Sequence, residues 1–127
     1  MRLLAMLGLA LLLGFAVAGH AQTRNAGGQR LALVIGNDGY TTIPKLDNAR
    51  ADARAMAGAL QQVGFDVTLR TDLTHKAMLE AVRTFKARLS GGAEAVFFFA
   101  GHGVQLAWKN YLLPVDAEVG SDRKSTR

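Results

Sequence analysis

The sequence predicts an α/β fold in which helices cover both faces of a mainly parallel β-sheet. Apolar runs of strand length alternate with segments of helical periodicity, and glycine closes the first and the third run. Strands that alternate with helices of ordinary length form a parallel sheet with right-handed crossovers. Ligands and catalytic groups of such sheets lie at the carboxyl ends of the strands. We therefore expect functional residues in the loops that follow the first and third strands, residues 36–40 and 101–105.

Three segments have the composition of strands. Leu31–Ile35 and Ala95–Ala100 are continuous apolar runs, as in strands buried on both faces of a parallel sheet. Asp66–Arg70 is short, and apolar Val67 and Leu69 alternate with polar neighbours, which is typical of a strand near the edge.

Two segments have helical periodicity. Apolar residues recur every three or four positions over Asp47–Val63, and Gly64 ends this first helix. Thr74 is the expected N-cap of a second helix, which ends at Ser90–Gly92. The order of elements is therefore β-α-β-α-β.

The leading segment has the features of an export signal. Arg2 precedes sixteen uncharged residues, Leu3–Ala18, followed by small residues of the type that signal peptidases cleave. An uncleaved signal anchor is the alternative, although a spanning helix needs about 20 apolar residues. We expect an exported protein, periplasmic or extracellular, with no stable membrane insertion after cleavage. The predicted organisation is a signal peptide at 1–21, a linker at 22–30, a folded domain at 31–119 and a polar tail at 120–127.

The charge distribution argues against nucleic-acid binding. The net charge is +5, but residues 31–119 hold nine Lys or Arg and nine Asp or Glu. The excess positive charge therefore lies in the two ends of the chain, whereas a nucleic-acid footprint lies on the folded domain. We expect no nucleic-acid partner.

Cysteine is absent from the 127 residues. This excludes a disulfide scaffold, a thiolate zinc site and a cysteine nucleophile within this sequence. Two histidines, His75 and His102, follow the predicted signal without the spacing of metal ligands, so we expect no metal site and no cofactor.

The sequence Gly101-His102-Gly103 directly follows the most apolar predicted strand. A histidine held at this edge can act as a general acid or base, because imidazole exchanges protons near neutral pH. The glycine that follows leaves its backbone N–H accessible to an oxyanion. A histidine that only hydrogen-bonds the end of the strand is an equally good interpretation of its position.

Several motifs together resemble the bacterial caspase-like, metacaspase-type cysteine peptidases. The motifs are LALVIGN at 31–37, LDNARADA at 46–53, GFDV at 64–67, VFFFAGHG at 96–103 and NYLLPVD at 110–116. The resemblance implies a three-layer α/β/α sandwich and a polypeptide substrate. It also implies that His102 works with a cysteine on the next strand, and that the Gly103 N–H helps to hold the oxyanion.

The sequence departs from this family at the nucleophile, because no cysteine follows His102. Either the sequence is part of a longer cysteine-type endopeptidase, with its catalytic domain incomplete at the carboxyl end, or it is a non-catalytic pseudo-peptidase that serves as an interaction module. We favour the first interpretation, since the family sheet has further strands. A nucleotide-binding α/β module fits the topology but lacks the phosphate-binding motifs.

The resemblance also bears on specificity. True caspases bind a substrate aspartate with an arginine near the start of the first helix, and the matching place here is near Leu46, which cannot bind a carboxylate. Cleavage after basic residues, as in metacaspases, is therefore the expected preference, with Asp52 as a weak candidate for substrate binding. A solvated helix carboxylate is an equal alternative for Asp52. Activation by calcium is allowed by the resemblance, but the sequence offers no support for it.

Overall fold

A computed structural model describes residues 28–118 and 120. The elements are β1 (Arg30–Gly36), α1 (Ala49–Gln62), β2 (Asp66–Thr71), α2 (His75–Arg88), β3 (Glu94–Ala100), β4 (Gly103–Leu106) and β5 (Lys109–Leu112). The predicted α/β fold and its β-α-β-α-β order are confirmed. Helix α1 is shorter than the prediction by two residues at its start and one at its end. The predicted signal peptide lies outside the described residues.

Strands β1, β2 and β3 form one parallel sheet in the order β2-β1-β3. The apolar run of β1 lies in the centre, where residues from Leu31 to Ile35 are fully buried. Strand β2 lies at one edge, as its alternating pattern predicts. The two crossover helices allow consecutive strands to run in the same direction, so the carboxyl ends of β1 and β3 meet at one edge of the sheet.

The two helices cover opposite faces of this sheet. On one face Leu31, Leu33 and Ile35 pack with Phe85 of α2. On the other face Val34 packs with Ala53 and Ala57 of α1. Period-two alternation along β1 sends its side chains to both layers, which is why the strand is apolar throughout. This is the three-layer α/β/α arrangement.

Helix α2 begins as predicted. The side chain of Thr74 accepts a hydrogen bond from the Ala77 N–H at 3.3 Å and so satisfies one free donor of the first turn. Lys86 and Arg88 lie in the last turn, where positive charge is favoured by the helix dipole. Local signals in the sequence therefore mark both ends of this helix.

Strand β3 pairs only with β1 among the described residues. Phe97 lies in register with Leu33, yet 47% of Phe97 is exposed while Leu33 is fully buried. The outer side of β3 thus presents an open edge beside a large apolar side chain.

The hairpin of β4 and β5 was not predicted. Its strands pair antiparallel, with Gly103 opposite Leu112 and Leu106 opposite Lys109. Ala107 and Trp108 both adopt positive φ, which is the backbone of a tight two-residue hairpin turn normally signalled by glycine or asparagine. Because neither residue type is present there, the turn had no signal in the sequence. Trp108 is 93% exposed at the tip, and so does not pack in the core.

No helix within residues 28–118 is long and apolar enough to cross a membrane.

Candidate functional site

The site is built at the edge where β1 and β3 end. The Asn37 N–H donates to the Ala100 carbonyl at 2.9 Å and joins the two strand ends. The buried Asn37 side chain accepts from the Leu73 N–H at 3.0 Å and donates to the Leu113 carbonyl at 3.3 Å. One side chain therefore links β1 to the segments that precede α2 and follow β5, because an amide offers both an acceptor and donors.

Helix α1 starts close against the end of β1. A Cβ atom on Gly36 would lie 2.5 Å from the Ala49 carbonyl oxygen and 2.6 Å from the Ala53 Cβ. Any side chain at position 36 would therefore push the helix away from the sheet. Glycine at this position therefore lets the start of α1 pack directly against the end of β1.

His102 lies two residues after the last residue of β3 and is held at three atoms. Its N–H donates to the Tyr40 hydroxyl at 2.7 Å, and its carbonyl accepts from the Leu113 N–H at 2.9 Å. Its ring Nε2 lies 2.8 Å from the Pro44 carbonyl oxygen. The loop after β1 and the loop after β3 thus meet at this imidazole, as the topology predicts.

The contact with Pro44 fixes the tautomer of the imidazole. A carbonyl oxygen can only accept, so Nε2 must carry the proton that it donates to Pro44. In the neutral ring, Nδ1 is then the atom with a free lone pair. Such a histidine can take a proton through Nδ1 while the backbone holds its opposite side.

The Gly103 N–H is directed away from the hairpin partner. The Leu113 N–H donates to the His102 carbonyl, which makes His102 and Leu113 a hydrogen-bonded position of the ladder. Antiparallel ladders alternate, so the next pair, Gly103 and Leu112, is a non-bonded position. The N–H of such a residue points outward, where it can donate to another group.

A cluster of charged residues supports the loop after β1. One oxygen of the Asp72 carboxylate accepts from the N–H groups of Asp38 and Gly39, at 2.9 and 2.8 Å. The Arg50 side chain bridges Asp38 at 2.9 Å and Asp72 at 3.2 Å. These contacts tie the loop to α1 and to the end of β2.

The cluster shifts the acidity of its members. Partial burial acts to raise the pKa of Asp72, but the N–H donors of Gly39 and Asp38, together with the Arg50 charge, outweigh it and hold the pKa below its ordinary value. The pKa of Arg50 is raised, chiefly by its hydrogen bond to Asp38 and then by the charge of Asp72. Both groups therefore stay ionised at neutral pH.

The other predicted residues lie at different places. Asp52 is exposed in the first turn of α1, and its N–H donates to the Asn48 carbonyl at 2.8 Å. Its role in substrate binding stays a prediction. His75 is exposed at the first position of α2, and its N–H donates to the Asp116 carboxylate at 2.8 Å. Across the described part of the chain, no three His, Asp or Glu side chains are grouped to hold a metal ion.

Sequence reasoning missed Tyr40, Pro44, Arg50 and Asp72. The only local signal was the position of Asp72, two residues after the predicted strand Asp66–Arg70. Its φ of +52° is an uncommon backbone conformation that Asp and Asn tolerate best. The contacts of the other residues span long sequence separations, which no local pattern records.

Comparison with known proteins identifies the family. The model of the Caspase domain family matches residues 29–125. The chain belongs to the caspase domain family. The α/β fold with its parallel sheet flanked by helices is consistent with this family.

Similar proteins include animal members of this family. The chain is 34% identical over 104 residues to mucosa-associated lymphoid tissue lymphoma translocation protein 1 homolog from Mus musculus, covering 78% of this chain and 12% of the relative. The human protein of that name is 35% identical over 88 residues, 69% of this chain and 11% of the relative. Caspase-1 from Sus scrofa is 33% identical over 78 residues, 60% of this chain and 19% of the relative.

The chain therefore spans only about an eighth of the length of the first two relatives. These relatives establish a caspase domain, but they are not specifically bacterial metacaspases. The finer prediction of a metacaspase type is not shown by them.

Proposed function

We propose that this caspase domain carries the histidine side of a cysteine-type endopeptidase site. His102 acts as the general acid and base, and the Gly103 N–H donates to the oxyanion. The thiol comes from a segment outside the 127 residues, which contain no cysteine. Membership of the caspase domain family supports a polypeptide as the substrate.

The observation that carries the proposal is the Pro44–His102 contact of 2.8 Å. The contact occupies Nε2 and leaves Nδ1 as the proton acceptor. The imidazole is therefore oriented to accept and donate a proton at Nδ1. A base oriented by a third group is the usual arrangement for activating a nucleophile. A histidine that only ended the strand would not need this second contact.

In the proposed reaction, Nδ1 of His102 transfers protons and the Gly103 N–H binds the oxyanion. The thiol proton moves to Nδ1 of His102, and the thiolate attacks the scissile carbonyl carbon. The imidazolium then gives the proton to the leaving amine as the C–N bond breaks. A water molecule, activated by the same ring, hydrolyses the thioester and restores the thiol. The outward N–H of Gly103 stabilises the negative oxygen formed at each attack.

The open edge of β3 is the proposed position of the thiol-bearing strand. Phe97 is half exposed there, although its partner across the ladder is fully buried. A further parallel strand would bury this side chain and would end at the same edge as His102. It would thus bring a loop with a cysteine to the imidazole.

We also propose cleavage after basic residues, a metacaspase-type preference, in an exported protein. Asp52 supports this preference because its exposed carboxylate lies on α1, the helix that follows the loop of Pro44. Leu46 provides no positive charge with which to bind an acidic side chain.

The test uses the protein encoded by the complete reading frame that contains these 127 residues. Its activity is measured with arginyl and lysyl reporter peptides. His102→Ala should lower kcat about 10²–10⁴-fold or more, since acid–base assistance alone contributes that factor. His75→Ala is the matched control, because His75 is exposed on α2 and should leave kcat unchanged. Normal turnover by His102→Ala, or a full-length product without cysteine, would overturn the proposal in favour of an interaction module.

Asp52 has its own test in the same protein. Asp52→Asn should raise KM for the arginyl reporter with little change in kcat. Asp47→Asn, an exposed carboxylate just before the same helix, should leave KM unchanged. An unchanged KM in Asp52→Asn would remove this residue from the substrate site.

A further inference from the structure

Tyr40 lies beneath the imidazole of His102 and is almost completely buried. Only 1% of its surface is exposed, although it belongs to the loop after β1. Its N–H donates to the Asp38 carbonyl at 2.9 Å, which curls the loop back over the strand end. A polar hydroxyl buried this deeply needs hydrogen-bond partners.

The hydroxyl of Tyr40 is inserted into the ladder between His102 and Leu113. At a hydrogen-bonded position of an antiparallel pair, two residues exchange both N–H···O bonds. Here the Leu113 N–H donates directly to the His102 carbonyl, but the return bond is interrupted. The His102 N–H donates to the Tyr40 hydroxyl at 2.7 Å, and the hydroxyl donates to the Leu113 carbonyl at 3.1 Å.

The hydroxyl takes the place of one direct ladder bond at the open end of the hairpin. The Tyr40 ring also meets the His102 ring edge to face, with centroids 4.7 Å apart and planes inclined at 61°. A Cβ atom on Gly101 would lie 2.6 Å from the Tyr40 hydroxyl, so glycine is required for the hydroxyl to reach the backbone. Backbone and ring of His102 are thus both supported by one side chain.

We propose that Tyr40 is a positioning residue for His102, whose hydroxyl sets the loop so that the imidazole reaches the Pro44 carbonyl. This inference rests on the proposed function only in giving His102 a catalytic role. Tyr40 has no part in the proton transfer. Burial raises the pKa of Tyr40 above its ordinary value, outweighing the hydrogen bond from His102, so the phenol stays protonated and continues to donate.

The test follows exchange of the imidazole C2 hydrogen with deuterium by mass spectrometry, on the whole chain at submicromolar concentration. This exchange reports each histidine separately and needs no peptidase activity. Tyr40→Phe keeps the ring and removes the hydroxyl. It should shorten the half-life at His102 about two- to tenfold or more, since both hydrogen bonds of the hydroxyl are lost and each net hydrogen bond changes the opened population by about that factor. His75 should keep its half-life, since it is exposed on α2 and is not a partner of the Tyr40 hydroxyl.

Tyr111→Phe is the matched control, because this tyrosine is 47% exposed in β5 and should not alter His102. A second measurement requires no variant: the backbone amide of His102 should be protected in the unaltered chain, since it donates to the buried Tyr40 hydroxyl. An unprotected amide, an unchanged His102 half-life in Tyr40→Phe, or equal acceleration at His75 would each overturn the proposal. If the exchange measurements agree with these expectations but the peptidase assay shows no activity, the proposed function is rejected while the positioning role of Tyr40 stands.

Discussion

Replacing Asp72 should destabilise the domain by an amount that depends on which of its features the new side chain keeps. Asp72 accepts two backbone N–H bonds, pairs with Arg50 and adopts a left-handed backbone conformation. Asparagine keeps an acceptor oxygen and tolerates positive φ, but removes the charge. Glycine tolerates the backbone and removes the acceptor. Alanine removes the acceptor and also opposes the backbone conformation.

The magnitudes follow from these contacts. A hydrogen bond to a charged acceptor contributes about 1.5–3 kcal/mol, and the side chain is 31% exposed, so water replaces part of each lost bond. Asp72→Gly should therefore cost about 2–4 kcal/mol for the two bonds together. Asp72→Ala should cost about 1 kcal/mol more, because left-handed strain exceeds the entropy that alanine removes from the unfolded chain. Asp72→Asn should cost least.

The assay is urea unfolding read by pulse proteolysis at submicromolar concentration, which limits self-association. A loss of 3 kcal/mol displaces the unfolding midpoint by about 1–3 M urea for a small domain. Asp47→Ala is the control, since this carboxylate is exposed and, among the described residues, accepts no backbone N–H as Asp72 does, so the midpoint should stay unchanged. Equal midpoints for Asp72→Ala and Asp72→Asn would refute the assignment of the cost to the two N–H bonds and the backbone.

Three further outcomes are expected. The 127-residue chain should hydrolyse no arginyl or lysyl reporter and take up no thiol-specific probe, because it has no cysteine, and turnover by rigorously pure material would contradict this. Residues 22–127 should self-associate at micromolar concentration through the edge of β3. Sedimentation should show that Phe97→Lys shifts the protein towards the monomer. Leu79→Lys, at a residue of similar exposure on α2, should not change the association. The pKa of Asp72 is lower in the folded protein than in the unfolded chain. Its stabilising effect is therefore present above a pH of about 4–5 and is lost as the pH falls through the folded pKa. The free energy of unfolding should therefore fall less on acidification in Asp72→Asn than in the unaltered protein.

Much of the fold was determined by the sequence alone. The continuous apolar run of β1, the period of two along β2 and the period of three to four along α1 and α2 reflect which side chains are buried, and burial acts on each segment locally. The N-cap at Thr74 and the edge position of β2 were predictable for the same reason. His102 could be placed at the active edge because the carboxyl ends of parallel strands share one side.

The surroundings of His102 were decided only by the tertiary structure. Tyr40 and Pro44 reach it across 62 and 58 residues, and Asp72 steadies their loop from the end of another strand. The hairpin turn at Ala107 and Trp108 has positive φ without the residues that favour it. The periodicity of a segment shows which of its side chains face the core. The contacts around His102 depend instead on strand order, register and the close approach of α1 to Gly36. Those are properties of the packed sheet, and no single segment contains them.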